Sequence, residues 1–74
     1  MINELDIVAL RRAVPDESLA VGDVGTVVHV YKDGKAFEVE FTTLTGETIG
    51  VLTLEADALR PLAAGEIANA RQVA

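Results

Sequence analysis

The sequence has no cysteine, no tryptophan and a single histidine. Without cysteine it can form neither disulfides nor thiolate metal sites, which removes cross-linked secreted scaffolds and zinc ribbons together. One histidine leaves acid–base and metal chemistry little to work with. Bases are also scarce: six Lys and Arg against twelve Asp and Glu give a formal charge of −6. Nucleic-acid binders gain non-specific affinity by neutralising phosphates with basic side chains, so no nucleic acid is expected as a partner. No apolar run approaches the ~18 residues of a membrane span, so no membrane partner is expected either. The opening MINELDIVAL lacks a basic leader and carries Glu4 and Asp6 in its apolar stretch. A soluble, cytoplasmic location is the expectation.

What is present reads as strands. At 74 residues there is room for one core, and such a chain buries only ~60% of the surface it exposes when unfolded. Residues 5–10 (LDIVAL) suit a first strand, with Leu5, Ile7 and Ala9 on one side. Residues 11–23, with Pro15, Ser18 and Gly22, read as a loop. Residues 24–31 (VGTVVHVY) are rich in β-branched side chains. Asp33-Gly34 then separates them from 36–42 (AFEVEFT), a hairpin signature. Thr45-Gly46 marks a second turn before 48–54 (TIGVLTL), and EADALRPL suggests one helical or 3₁₀ turn and a short strand ending at Pro61. The expected fold is all-β: a five-stranded SH3-like barrel over residues 1–62 with a central three-stranded meander. Residues 63–74 are alanine-rich, with Ile67, Ala70 and Val73 at near-helical spacing, and are expected to form a flexible or weakly helical tail.

Two-residue turns would fix the pairing of the meander. Asp33-Gly34 places Val28 opposite Val39, Val30 opposite Phe37 and Thr26 opposite Phe41. Thr45-Gly46 places Val39 opposite Leu52, Phe37 opposite Leu54 and Phe41 opposite Gly50, whose missing side chain would leave room for the ring. The predicted core is therefore Val28, Val30, Phe37, Val39, Phe41, Leu52 and Leu54, joined by Leu5, Ile7, Val24 and Leu59. The opposite face would carry Val27, His29, Tyr31, Glu38, Glu40, Ile49, Val51 and Thr53. Apolar residues around glutamates make Val27, His29, Tyr31, Glu38, Glu40, Ile49 and Val51 the candidate partner-binding set. β-propensity alone also places valine and isoleucine on exposed strands, and the 11–23 loop or the tail could cover this face.

No catalytic, cofactor or metal site is expected, and the protein is not read as an enzyme. His29 opposite Glu38 could form an acid–base dyad, but with no nucleophile or further ligand nearby a solvated cross-strand pair is the simpler reading. Glu38, Glu40 and Glu47 lack the dense oxygen-ligand loop that calcium uses. Gly22 and Gly25 precede a strand, whereas a phosphate-cradling loop opens a helix. Tight turning and close packing account for both glycines.

The ordered segments ELDIVAL, GDVGTVVHVY, FEVEF and VLTLEADALRPL resemble a family of short bacterial proteins, domain of unknown function four-nine-two-six, over residues 2–62. The resemblance implies an SH3-like barrel and carries no catalytic or binding residues. GDVGTVV is also similar to the KOW motif of ribosomal and transcription-elongation proteins, whose basic loops are missing here. The leading functional expectation is a non-catalytic protein-interaction module, in its sharpest form the antitoxin or immunity half of a two-protein pair. Its partner would be a protein with a basic and apolar surface. The alternatives are a KOW-like nucleic-acid- or ribosome-associated factor and an accessory subunit of an enzyme complex. Self-association through an edge strand is compatible with all of these.

Overall fold

The computed structural model describes residues 1–73. Five strands follow one another: β1 (Ile7–Leu10), β2 (Val24–Tyr31), β3 (Ala36–Thr42), β4 (Thr48–Glu55) and β5 (Leu59–Pro61). Short 3₁₀ turns occupy Pro15–Glu17, Lys32–Gly34 and Ala56–Ala58. All pairings are antiparallel within one sheet of order β4-β3-β2-β1-β5. The fold is thus all-β with the expected central meander. The sheet is not closed into a barrel, because its two edges, β4 and β5, do not pair. β5 is only three residues long and ends at Pro61, which has no N–H to extend a ladder. Among the described residues no helix is long and apolar enough to cross a membrane.

The first hairpin turns through three left-handed residues, Lys32, Asp33 and Gly34, with φ of 33°, 61° and 80°. The connection is wider than a two-residue turn, yet Tyr31 faces Ala36, Val30 faces Phe37 and His29 faces Glu38. Widening by one residue on each side leaves the register unchanged. Beyond His29 it slips: Val27, not Val28, lies opposite Val39, and Thr26 lies opposite Glu40 rather than Phe41. Val28 is the extra residue of a β-bulge. The slip exchanges the two faces of β2. Val27 is fully buried and Val28 is 40% exposed, the reverse of the predicted assignment.

Gly25 shows what favours this arrangement. A Cβ built there would lie 2.7 Å from Val39 Cγ1 and 2.9 Å from Phe41 Cε1. The bare backbone of β2 is therefore pressed against the core, and the inner row of this strand runs Gly25, Val27 and, past the bulge, Val30. The hollow beside the Phe41 ring is at Gly25, not at Gly50, where a Cβ would meet only a Glu17 carboxylate oxygen at 3.4 Å.

The second hairpin pairs largely as expected: Phe37 with Leu54, Val39 with Leu52, Phe41 with Gly50. Its turn is Thr43–Gly46, closed by Gly46 N–H donating to Thr43 O at 3.0 Å, with Gly46 at φ 91°. A second irregularity near Ile49 brings Thr42 opposite Thr48.

The core comprises Val8, Leu10, Leu19, Val27, Phe37, Val39, Phe41 and Leu59, with Val30, Leu52 and Leu54 half-buried against it. Four predicted members of the core are exposed: Val28, displaced by the bulge, and Leu5, Ile7 and Val24. Leu5 takes φ 72°, a left-handed kink just ahead of β1, and with Ile7 it lies on the exposed side rather than the core side. Within β1 it is Val8 and Leu10 that are buried while Ile7 is exposed, and Val24, opposite Ala9, lies on the outside. Leu19 fills the core from the 11–23 loop, anchored by mutual backbone hydrogen bonds with Val14. That loop closes the inner face of the sheet. The described tail contains no helix; Ala63 N–H and the Arg60 guanidinium both bind the Glu66 carboxylate at 2.7 Å.

Candidate protein-interaction face

β3 is the middle of the meander, and its strict alternation sets the site. Phe37, Val39 and Phe41 point inward and are buried, so Glu38 and Glu40 point outward, half-shielded by the strands on either side. Both carboxylates are held by hydroxyl donors from neighbouring strands. Glu38 Oε1 accepts from Thr53 Oγ1 at 2.6 Å and from the Tyr31 hydroxyl at 3.2 Å. Glu40 Oε2 accepts from Thr48 Oγ1 at 3.2 Å. These bonds fix the carboxylates while leaving free lone pairs for an incoming donor. The Tyr31 phenol is raised above its usual value because its proton is held by the Glu38 carboxylate and ionisation would set two anions side by side.

His29 packs edge-on against Tyr31, with ring centroids 4.5 Å apart at 76°. His29 lies opposite Glu38 in register, yet its Nδ1 approaches Glu4 Oε2, at 3.8 Å, and the Glu38 carboxylate goes to Tyr31 and Thr53 instead. His29 and Glu38 thus face each other in register without joining as an acid–base dyad.

Of the candidate residues, His29, Tyr31 and Val51 are exposed and Glu38, Glu40 and Ile49 are half-buried on the sheet. Val51 sits opposite Glu40 and is 47% exposed. Ile49 leans partly onto the core. Val27 does not belong to this face: the bulge at Val28 turns it inward, and Thr26 takes the place opposite Glu40. Among the described residues no group of three or more His, Asp or Glu could hold a metal ion.

A second polar cluster ties the 11–23 loop to the tail, and no pattern in the sequence points to it. Asp23 binds Arg71 of the tail, and Arg71 also donates to the Ser18 carbonyl at 2.8 Å. The guanidinium holds the Asp23 carboxyl below the usual aspartate range. Arg71 and Asp23 are 48 residues apart, so no local pattern announces the pair.

The family described as Domain of unknown function (DUF4926) matches residues 4–61. The chain belongs to this family. The DUF4926 match takes in all five strands, the β2–β4 face, Ser18 and Asp23; the tail with Arg71 lies beyond it. No curated protein and no solved structure matches the chain.

Proposed function

We propose that this DUF4926 domain is a non-catalytic protein-interaction module of the cytoplasm. Its docking surface is the β2–β4 face, and its partner presents basic and apolar groups. An antitoxin or immunity role, in which the domain covers a basic functional surface of a second protein, is the sharpest form of this reading. One observation carries it: Glu38 and Glu40 are held in the middle of a sheet face by hydroxyl donors, beside exposed Val51 and the His29–Tyr31 pair. Fixed acceptors flanked by an aromatic pair and an aliphatic side chain suit arginine- or lysine-bearing protein surfaces. The acidic balance of the chain favours the same class of partner and speeds encounter with it.

The test is affinity purification of the full chain from native cells, beside the double variant Glu38→Lys/Glu40→Lys and the single variant Val51→Asp. A stoichiometric protein that is retained by the parent chain and lost from both variants supports the reading. Recovery without a stoichiometric protein, or equal retention by all three chains, refutes it. Salt-sensitive RNA binding by the purified chain would transfer the assignment to the nucleic-acid alternative.

A further inference from the structure

Asp23 is fixed by its own turn before the tail contributes anything. Its N–H donates to Ala20 O at 3.0 Å, and its Oδ2 accepts from Ala20 N–H at 2.8 Å. Both carboxylate oxygens then receive one guanidinium: Arg71 Nε donates to Oδ1 at 2.8 Å and Nη2 donates to Oδ2. The same Nη2 reaches the Ser18 carbonyl at 2.8 Å. Ser18 is left-handed, at φ 60°, and ends the Pro15–Glu17 turn. Three acceptors from one short loop thus meet a planar fork. Arginine fits such a set and lysine, a point donor, does not.

This contact borders an open groove of about 1370 Å³ between the domain, which supplies Ile7, Val21 and Val24, and the tail itself, which supplies Leu62 and Ile67 as the facing wall. The tail does not fill it. Val21 remains 63% exposed and Ile67 89% exposed. On the domain side Glu40, Glu47 and Asp23 line the groove against Arg60, a balance that favours cationic peptides over polyphosphates. The receptor groups lie within the family span of residues 4–61, and the tail that occupies them lies outside it.

We propose that Ser18 and Asp23 form an arginine-reading site beside the exposed apolar strip of Ile7, Val21 and Val24, occupied at rest by Arg71, and that its ligand is an extended, arginine-bearing segment of a basic protein which takes the place of the tail. The tail acts as a tethered stand-in: it supplies the guanidinium but leaves the groove unfilled. An incoming segment with the same arginine and larger apolar neighbours gains the buried area that the tail forgoes. The groove touches the β2–β4 face at Glu40 and Ile49, but the arginine contact uses no residue of that face. This site therefore goes beyond the reading above and is tested without the cellular partner.

The experiment is an amide chemical-shift titration of the full chain carrying Arg71→Ala, which empties the site. The probe is the synthetic peptide of residues 63–74, together with its Arg71→Lys and Arg71→Ala versions. The unaltered peptide is expected to give saturable shifts at Ser18, Asp23 and Val24. The Lys peptide should bind roughly two- to threefold more weakly, since a point charge makes one contact where the fork makes three. The Ala peptide should give none. The parent chain, whose own tail competes at an effective concentration on the order of millimolar, should bind the peptide roughly threefold more weakly than the Arg71→Ala chain. Equal binding of the arginine and alanine peptides overturns the proposal. So does the absence of saturable shifts at Ser18 and Asp23, or equal affinity of the two chains. The Asp23→Asn chain should lose the arginine preference; because Asp23 also braces its own turn, the peptide series decides the matter on unaltered receptor groups.

Discussion

Strand β3 is flanked by two neighbours that treat its alternation differently. On the β4 side, Phe37, Val39 and Phe41 find Leu54, Leu52 and Gly50 in unbroken succession. On the β2 side the ladder keeps step from Tyr31 to His29 and then slips at Val28. The same three inward side chains therefore face a regular partner on one flank and a bulged one on the other. Period-two alternation passes from strand to strand only while both backbones advance together, and a single extra residue reverses every assignment beyond it. The two adjacent valines express the difference most sharply: one is sealed in the core, the other lies in solvent.

The largest test of this contrast is Phe41→Ala, which removes the ring that Gly25 receives. It should cost about 3–5 kcal/mol, against a total of about 4–11 kcal/mol for a domain of 74 residues. Urea denaturation should find the unfolding midpoint lowered by a large fraction of its parent value. Next, Val27→Ala should lose about 2 kcal/mol, whereas Val28→Ala should stay within about 0.5 kcal/mol of the parent. Equal costs for the two valines would remove the bulge from the account. Gly25→Ala should cost about 1–3 kcal/mol through overpacking against Val39, Phe41 and the Glu40 carbonyl, although alanine ordinarily favours ordered backbone over glycine. A stabilised Gly25→Ala melting curve would show that β2 does not press on the core as described.

The smallest effect concerns the tail. Its latch is a partly exposed ion pair, weakened by solvent. Asp23 is held below its ordinary value, so the latch is fully present above the unfolded aspartate range of about 4 and is lost as pH falls through the lower, folded value. The Arg71 Nε–H resonance is expected to show exchange protection at neutral pH and to lose it in that acidic window. In 1 M salt the protection should weaken at neutral pH as well.

The difference between the flanks also explains what could be read from the residues. Clean alternation in AFEVEF located β3 and oriented Phe37 and Glu38 correctly. Strands 24–31 and 36–42 fall where β-branched runs and the Asp-Gly turn placed them. Bulges were illegible because VGTVVHVY contains consecutive valines, so either alternation gives an apolar face. The available clue was Gly25: an inward row that includes a glycine is awkward for a core unless a ring lies against it, and Phe41 supplies that ring. In LDIVAL the kink at Leu5 likewise has no residue-type signal, since leucine rarely takes positive φ. Of the candidate face, six residues lie at or near the surface as expected and Val27 does not. Arg71 with Asp23 depends on a tail path that composition does not encode. The near-helical spacing of Ile67, Ala70 and Val73 pointed instead to a helix that the described residues do not form.

One consequence follows from the outer border of the sheet. β4 offers eight residues whose far side meets no other strand, and only Glu55 among them is charged. Natural sheets usually guard such a border with lysine, proline or a covering segment. Here the guard against lateral stacking of molecules is diffuse: the mutual repulsion of whole particles bearing −6 each. Colloidal stability should therefore collapse near the isoelectric point of about 4.5, and concentrated salt should shorten the range over which the particles hold one another off.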